Sequence, residues 1–423
     1  MNMKKEMRRS GDRQIVAGLD IGTSKIGVVI GEVQGEGRIQ ILGVGMSPSK
    51  GLRQGTVINL DEAVRSIQRA VEEAQLTAGL EVHSVTVGIA GDHVRSVNSR
   101  GVVAVSRSEE ITQRDVERVI DAAKAIALPV DREVIHVLPQ EFIVDNQGGI
   151  KTPIGISGVR LEAEIHIVTG AITSSQNIIR CVKKAGLHVN RLALEPLASS
   201  YAILDQDEKD LGVALVDLGA GTTDIALFHD GAIRHTAVIG LGGQNITNDI
   251  ALGLRTPLDK AEELKIKYGS AYQNAVTKKD MFTVPGLGGR APREVSREVL
   301  SSIIQPRMEE IFSLVSKEMK RSDFGDLLGA GVVLTGGCAL LADVAVLAEE
   351  IFGLPVKVGV PKGFSGLVES ASSPVLSTGV GLVLYGAAPG EESMPAHHEE
   401  EKKGWADGLW DKIVKYYEEF IGK

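Results

Sequence analysis

Two short segments of the chain combine acidic, glycine and hydroxyl residues at spacings that suit phosphate binding. Residues 20–25 read Asp-Ile-Gly-Thr-Ser-Lys, and residues 217–224 read Asp-Leu-Gly-Ala-Gly-Thr-Thr-Asp. Glycine lets backbone N–H groups approach phosphate oxygens, and neighbouring hydroxyl groups add further donors. We therefore predict two phosphate-binding turns, formed by Gly22, Thr23, Ser24 and Lys25 and by Gly219, Ala220, Gly221, Thr222, Thr223 and Asp224.

Charged residues at these turns extend the prediction to a metal-bound nucleotide. Lys25 supplies a point charge suited to a β- or γ-phosphate. Asp20 and Asp217, at the ends of the preceding strands, are expected to hold Mg²⁺ mostly through its waters. Either turn alone could be a simple connection between strands, but the second is too polar for packing alone. The pair together favours phosphate binding.

Other common nucleotide-binding motifs are missing from the sequence. The chain has no Gly-x-x-x-x-Gly-Lys-(Ser/Thr) loop, no dinucleotide-binding fingerprint and no protein-kinase signature set. The phosphates must then be held between the two turns, which predicts a cleft between two similar domains.

The residues around both turns predict the same local fold. Apolar runs flank the first turn at residues 15–19 and 26–33, and the second at residues 213–216 and 225–228. Such runs on either side of a tight turn indicate two buried strands. Two such hairpins about 200 residues apart predict an α/β fold with duplicated halves that face one another.

The predicted elements divide the chain into two halves with one insertion. Between residues 85 and 163, strands and one helix form an α+β unit that interrupts the first half. The boundaries we predict are a first domain at residues 14–84, continued at 164–195 and 353–388, an inserted subdomain at 85–163, and a second half at 196–352 with an outer subdomain at about 243–325.

The C-terminal segment differs in character from the rest of the chain. Residues 389–403 are polar and acidic, which is typical of a flexible linker. In residues 404–423, apolar residues recur at three- and four-residue intervals opposite a face of Lys and Glu. Tryptophan and tyrosine favour the headgroup boundary of a bilayer. We therefore predict an amphipathic membrane-targeting helix that binds lipid through Trp405, Leu409, Trp410, Ile413, Val414, Tyr416, Tyr417, Phe420 and Ile421.

The tail has an alternative interpretation. The same helix could dock on this protein's own core or in a partner's groove. A docked helix seldom needs an acidic linker before it, and both tryptophans of the chain lie here. We therefore favour membrane binding, which would rest on apolar burial and be reversible.

Bulk composition excludes several functional classes. A net charge of -9 argues against non-specific binding to nucleic acid, which needs basic surface. The two cysteines, Cys181 and Cys338, make neither a disulfide framework nor a metal site. No apolar run is long enough to span a bilayer, and the basic N-terminus lacks a secretory signal. We expect a cytoplasmic protein with peripheral membrane contact and a disordered N-terminal extension.

The two hairpins resemble phosphate-1 and phosphate-2 of the actin/Hsp70/sugar-kinase superfamily. Three further segments fall in that superfamily's order: residues 194–198 as a connecting helix, 241–246 as a Gly-Gly turn, and 332–337 as the adenosine motif. The resemblance implies an actin-like (ribonuclease H-like) duplicated fold that binds ATP and Mg²⁺. It adds nucleotide contacts from Gly242, Gly243, Glu262, Lys265, Thr335, Gly336, Gly337 and Cys338, although Cys338 could simply be a small buried side chain.

The resemblance also suggests one catalytic candidate. In related ATPases a carboxylate at the position of Glu195 helps to orient the water that attacks the γ-phosphate. The alternative is a carboxylate favoured at the start of a helix by the helix dipole. The motifs do not decide whether ATP is hydrolysed, and slow turnover at most is expected.

The whole arrangement resembles the FtsA family, bacterial division proteins that anchor the FtsZ ring to the membrane. Matching segments lie at residues 155–163, 197–201, 286–293 and 335–338. The resemblance implies head-to-tail protofilaments, location at the septum on the cytoplasmic face of the inner membrane, and recruitment of later division proteins by the insertion. It also implies binding of the FtsZ C-terminal peptide on the outer second-half subdomain, for which we nominate Arg290, Arg293 and Arg307.

Other functional classes remain as alternatives. A related pilus-assembly scaffold shares this core but not the tail. A small-molecule kinase needs a catalytic Asp for which the cleft sequence offers no good candidate. A chaperone ATPase predicts a β-rich peptide domain after residue 386, where only a linker and one helix stand.

Overall fold

A computed structural model describes residues 14–106, 110–277 and 280–388. The predicted linker and membrane helix, with the nine residues nominated for lipid, lie outside these ranges, as does the N-terminal extension. The first half begins with β1 (Gln14–Ile21), β2 (Lys25–Val33), β3 (Ile39–Pro48), β4 (Leu52–Arg53), β5 (Thr56–Val57), α1 (Leu60–Ala78) and β6 (Ser84–Ile89).

The chain then leaves the first half to form the insertion and returns to it. The insertion contains β7 (Arg95–Ala104), α2 (Gln113–Lys124), β8 (Arg132–Val144), β9 (Gln147–Ile150) and β10 (Arg160–Ala171). The return is made by α3 (Ile172–Lys184), β11 (His188–Leu194), α4 (Glu195–Ile203) and α5 (Gln206–Leu211).

The second half repeats the opening of the first and adds an outer helical unit. Its central elements are β12 (Val213–Leu218), β13 (Thr223–His229), β14 (Ala232–Ile239), α6 (Gly243–Leu254) and α7 (Leu258–Tyr268). It continues with β15 (Met281–Val284), β16 (Arg293–Ser296), α8 (Arg297–Arg321), β17 (Val332–Thr335), α9 (Val344–Phe352) and β18 (Val356–Val358). The described chain ends with β19 (Phe364–Gly366), α10 (Val368–Ala371) and α11 (Ser377–Ala387), back at the first half.

The predicted duplication is confirmed by the order of the strands. The first sheet runs β11-β6-β1-β2-β3-β19, and the second runs β14-β13-β12-β17-β18. In both sheets the opening three strands are antiparallel, and the next strand lies parallel to the first of them. The carboxyl ends of β1 and β12 therefore occupy equivalent positions in the two halves.

Buried apolar residues explain why these central strands form. Residues 213–216 of β12 are fully buried, as a strand covered on both faces requires. In the first half, α1 packs on β3 at Gly43 and Gly45, where a Cβ would overlap the backbone of the helix. Asn59 caps α1 by accepting a hydrogen bond of 3.2 Å from the amide of Glu62, a contact that stabilises helices by about 1 kcal/mol.

The predicted boundaries of the insertion are wrong at both ends. Residues 85–89 belong to β6, which pairs in parallel with β1 and β11 in the first sheet. Residues 164–169 belong to β10, which pairs with β7 and β8 in the inserted sheet β7-β10-β8-β9. Both segments alternate apolar residues with others, and each follows or precedes another strand in sequence. Such a pattern predicts a strand but does not show which sheet it joins.

The predicted return to the first domain at residue 353 is also too early. β18 pairs in parallel with β17 and completes the second sheet, whereas β19 pairs with β3 in the first sheet. The chain therefore crosses between residues 358 and 364. Within the described ranges, no helix combines the length and apolarity that crossing a membrane requires.

Candidate functional site

The two glycine-rich turns lie on opposite walls of one cavity of about 450 Å³ between the halves. The turn after β1 and the turn after β12 are in contact, because a Cβ added to Gly221 would overlap the side chain of Thr23. The predicted residues that line the cavity are Asp20, Gly22, Thr23, Ser24, Lys25, Glu195, Asp217, Gly219, Ala220, Gly221, Thr222, Asp224, Gly243, Glu262, Lys265, Gly336, Gly337 and Cys338.

Three predicted residues, Thr223, Gly242 and Thr335, lie behind the lining and support it. The hydroxyl of Thr223 donates to the carbonyl of Leu241 at 2.9 Å, and that of Thr335 lies 2.7 Å from the Ser377 hydroxyl. Gly242 packs so closely on the second turn that a Cβ would lie 2.6 Å from the carbonyl oxygen of Gly219. These residues position the walls of the cavity.

Four acidic side chains converge at the end of the cavity where the turns meet. Asp20 forms an ion pair with Lys25 and Asp217 accepts a hydrogen bond of 3.4 Å from Thr378. Asp224 lies opposite Asp217 in the β12–β13 register, and Glu195 begins α4 beside them. Gly88 makes room for Glu195, because a Cβ there would lie 2.9 Å from its Cγ.

The environment raises the pKa of most of these carboxyl groups. Burial raises the pKa of Asp217 to about 6, with the Asp20 charge adding to it. Burial and the Asp217 charge raise the pKa of Asp224 to about 7. Burial, then the charges of Asp20, Asp224 and Asp217, raise the pKa of Glu195 well above its usual value. Ionising these carboxyl groups in the ligand-free site is therefore unfavourable.

Lys25 is the cation that faces this cluster. Burial lowers the pKa of its ammonium group, but the charge and hydrogen bond of Asp20 outweigh burial and leave the pKa raised. Lys25 thus stays charged, yet a single cation cannot balance all four carboxyl groups. An added divalent cation would restore the balance.

The residues present fit Mg²⁺ with a nucleotide. Asp224 Oδ1 is buried and accepts no hydrogen bond from the described residues, which leaves an acceptor for a hydrated cation. Among those residues no group of three or more His, Cys, Asp or Glu is placed to hold a metal ion directly. Mg²⁺ usually keeps several waters in protein sites, and these carboxylates suit contact through such waters.

A further part of the lining is formed by α7 and the loop after β17. Lys265 is buried and donates to the carbonyl of Gly243 at 3.0 Å and to the hydroxyl of Thr247 at 2.9 Å. It also pairs with Glu262 at 2.7 Å. Burial raises the pKa of the Cys338 thiol, whose Sγ lies 3.7 Å from the carbonyl oxygen of Gly219. Cys338 is therefore an uncharged wall residue.

Several lining residues were missed by the sequence analysis. They come from strands, helices and connections in both halves: Ile21, Met46, Gly55, Ala90, Ile246, Ile266, Leu340, Leu341, Pro374, Val375 and Thr378. Most are apolar, so their composition gives no signal of a binding role. Thr378 is 161 residues from Asp217 in sequence, and only folding brings the two together.

The three arginines nominated for a partner surface have different environments. Arg290 is exposed in the connection between β15 and β16. Arg293 donates to the carbonyl of Leu254 at 2.9 Å. Arg307 forms an ion pair of 2.7 Å with Asp249 and a second pair with Glu310, so its guanidinium group is used within the fold.

Comparison with known proteins gives consistent matches. The family model described as "Cell division protein FtsA" matches residues 214–381, and "SHS2 domain inserted in FTSA" matches residues 91–169. The chain is 50% identical over 381 residues to Cell division protein FtsA of Pseudomonas aeruginosa, covering 90% of this chain and 91% of that protein. It is 40% identical over 414 residues to that of Escherichia coli K12, covering 96% and 98%.

Solved structures share the fold at low sequence identity. A chain of the PilM-PilN type IV pilus biogenesis complex aligns with a TM-score of 0.65 at 18% identity, covering 89% of this chain and 100% of that chain. Spiroplasma citri MreB5 bound to ADP aligns with a TM-score of 0.52 at 14% identity, covering 86% and 94%. These likenesses establish an actin-like fold.

Proposed function

The chain belongs to the FtsA family of cell-division proteins, and on this premise we propose that it binds ATP with Mg²⁺ in the cleft and polymerises head to tail. The observation that carries the proposal is the single cavity with a glycine-rich turn on each wall and a surplus of carboxylates where the turns meet. Such a site suits a ligand that is anionic at the turns and carries its own divalent cation.

Each part of the cavity has a distinct role in this proposal. Backbone N–H groups of the two turns, with Thr23, Ser24, Thr222 and Lys25, bind the phosphates. Asp20 and Asp217 would hold Mg²⁺ through its waters, and the ion would supply positive charge between the phosphates and the carboxylates. Glu262 and Lys265 face the adenosine, and Gly336 and Gly337 give it a flat wall.

Glu195 is assigned the positioning of water at the γ-phosphate. Its raised pKa favours the protonated form in the ligand-free cavity, and that form cannot accept a proton from water. This supports slow turnover, with ATP acting chiefly to stabilise the conformation that polymerises.

Attachment to the membrane is assigned to residues 404–423. The aromatic residues of that segment would lie at the lipid headgroups of the inner membrane's cytoplasmic face, and polymerisation would strengthen binding by presenting many copies. With the core bound to the FtsZ C-terminal peptide, the chain would anchor the FtsZ ring at the septum. The inserted subdomain would recruit later division proteins.

The outer subdomain of the second half is assigned to the FtsZ peptide. Of the three nominated arginines, Arg290 is the best placed, because its side chain is exposed. Arg293 and Arg307 are engaged within the fold and would shape the surface rather than bind directly.

A liposome experiment tests the proposal. The full chain and a version ending at Pro389 are sedimented with anionic liposomes, with and without Mg²⁺–ATP and FtsZ. We expect the full chain to sediment, to carry FtsZ with it and to do so more strongly with ATP, while the shortened version stays in solution. If both versions stay in the supernatant under all conditions, the membrane-anchor proposal is wrong.

A pilus-assembly scaffold is the second candidate. The fold likeness to PilM supports it, but at 18% identity that likeness concerns architecture alone. The sedimentation experiment separates the two, because a scaffold without a membrane helix would not need residues 390–423 to bind lipid.

A further inference from the structure

A small hairpin of the first half reaches across the cleft to the second half. β4 and β5 pair Leu52 with Val57 and Arg53 with Thr56, which leaves Gln54 and Gly55 as a two-residue turn. Both turn residues have positive φ, 48° for Gln54 and 74° for Gly55, as the tightest hairpin turns require. The tip of this hairpin is therefore fixed in shape.

The base of the hairpin is anchored in the first half. Leu52 is buried in the core beneath α1, and the carbonyl of Gly51 accepts hydrogen bonds from the amides of Ile58 and Asn59 at 2.8 and 3.0 Å. Gly55 packs so closely on the loop after β6 that a Cβ would lie 2.6 Å from the carbonyl oxygen of Ala90. The hairpin is thus attached to the first half at its base and at Gly55.

Two contacts at the tip connect it to the cavity and to the opposite wall. The amide of Gly55, which lines the cavity, donates to the hydroxyl of Thr23 at 3.3 Å. The side-chain amide of Gln54 donates to the carbonyl of Gly240 at 2.8 Å. Gly240 follows β14 and precedes the Gly242–Gly243 segment, so this second hydrogen bond joins the two halves directly.

We propose that Gln54 is a positioning residue that holds the two halves closed at the phosphate end of the cavity and so slows nucleotide release. The proposal rests on nucleotide binding in this cleft. The hydrogen bond to Gly240 exists only when the halves are together, so its loss favours the open cleft. An open cleft is the state from which ligand leaves, so the off-rate rises while the on-rate changes little.

The substitution that removes the hydrogen-bond donor is chosen so that the hairpin keeps its shape. Gln54→Gly removes the donor, and glycine adopts a φ of about 48° more easily than glutamine does. Gln54→Glu retains the length of the side chain but places an acceptor against the Gly240 carbonyl. Gln54→Lys restores a long side chain with a donor, and Arg53→Ala changes an exposed neighbour in the same hairpin.

Release of a fluorescent ADP analogue from the full chain, chased with unlabelled ATP, is the first measurement. One neutral hydrogen bond corresponds to about a three- to tenfold change in rate. We expect Gln54→Gly and Gln54→Glu to release the analogue faster by that factor, and Gln54→Lys and Arg53→Ala to stay within about twofold of the unaltered chain. Equal off-rates for Gln54→Gly and the unaltered chain, or failure of Gln54→Lys to restore slow release, would overturn the proposal.

A second measurement needs no nucleotide. Hydrogen exchange of the backbone amides at residues 240–243 is compared in the ligand-free unaltered chain, Gln54→Gly and Gln54→Lys. We expect faster exchange in Gln54→Gly alone, and unchanged exchange would count against the contact. If the analogue does not bind the unaltered chain at all, the nucleotide proposal fails, and this measurement still decides whether Gln54 joins the halves.

Discussion

The hydroxyl of Thr222 donates a hydrogen bond of 2.9 Å to Oδ2 of Asp224, while Oδ1 of that buried carboxylate accepts none from the described residues. Asp224 also faces Asp217 across the β12–β13 register. Burying two adjacent carboxylates without a matching cation is unfavourable for the charged forms. In the ligand-free cavity the ionised forms of these carboxylates are therefore destabilised. A bound divalent cation would stabilise them.

The first prediction concerns pH. The pKa of Asp217 is raised to about 6 and that of Asp224 to about 7, both from 3.8. Between about pH 4 and pH 7 these two groups hold more protons in the folded chain than in the unfolded chain, so the stability that they contribute to the ligand-free protein is lost as pH rises through this interval. Binding of Mg²⁺–ATP favours the charged forms of these two carboxyl groups. The increase in stability that the ligand causes should therefore grow as pH rises from about 4 to about 7. Thermal unfolding with and without Mg²⁺–ATP at about pH 5.5 and pH 8 checks both trends.

The second prediction removes the charge of Asp224. Asp224→Asn should stabilise the ligand-free chain above pH 7 by about 1–3 kcal/mol, because one pKa unit corresponds to about 1.4 kcal/mol. It should also weaken Mg²⁺-dependent nucleotide binding at least about tenfold. Urea unfolding and nucleotide titration measure the two effects, with Asp121→Asn on the exposed face of α2 as the control. Loss of stability in Asp224→Asn would contradict the interpretation that the ionised Asp224 destabilises the ligand-free chain.

The third prediction compares two adjacent glycines. Gly336 has a φ of 85°, and a Cβ there would overlap Oδ1 of Asp217 and lie 2.7 Å from the carbonyl oxygen of Leu218. Gly336→Ala should therefore cost about 2–4 kcal/mol of unfolding free energy and abolish nucleotide binding. At Gly337 a Cβ meets no atom within 4 Å, so Gly337→Ala should leave the melting temperature unchanged and weaken binding only by crowding the cavity. Equal melting temperatures for the two variants would refute this.

The fourth prediction concerns the seam between the insertion and β14. The ring of His166 lies 2.6 Å from Oδ1 of Asn98 and 2.9 Å from the hydroxyl of Thr236. Burial, followed by the charges of His235 and His136, lowers its pKa to about 3. The neutral ring is thus part of the fold, and its stabilising contribution is present above about pH 6.5 and lost as pH falls towards 3.

Replacing that ring should expose the polar groups it satisfies. His166→Leu should destabilise the chain by about 2–4 kcal/mol at neutral pH, since Asn98 and Thr236 lose a buried partner. The deficit relative to the unaltered chain should shrink under acid conditions, where the unaltered chain also loses this contribution. Urea unfolding at pH 7 and pH 4 tests this, with His83→Ala, an exposed histidine, as the control.

Strand β14, at the edge of the second sheet, is hydrogen-bonded by side chains of the insertion, and no local sequence pattern predicts these contacts. Outward carbonyls of β14 accept hydrogen bonds from side chains of the insertion: Ser96 donates to Thr236 at 3.0 Å, and Asn98 and Gln140 donate to Arg234 at 3.1 and 3.2 Å. Polar residues on a predicted strand are usually read as its solvent face. Here they satisfy an edge strand that would otherwise be unpaired.

The duplicated hairpins, the acidic and glycine residues at their turns and the α/β class could all be predicted from the sequence. These features are local, because the glycine and hydroxyl chemistry of a phosphate turn must sit within a few residues of its strand. Eleven of the 18 predicted residues that line the cavity lie in these turns, and the other seven were predicted from the resemblance to the actin/Hsp70/sugar-kinase superfamily.

The tertiary structure alone decided which sheet each strand joins and what lies across the cleft. Strands β6 and β10 have similar apolar patterns, yet they belong to different sheets, because pairing depends on long-range packing and chain connectivity rather than on composition. For the same reason no sequence pattern indicates that Thr378 reaches Asp217, or that Gln54 in a two-residue turn reaches Gly240 in the opposite half. Contacts between distant segments are set when the two halves close on each other, and no spacing along the chain encodes them.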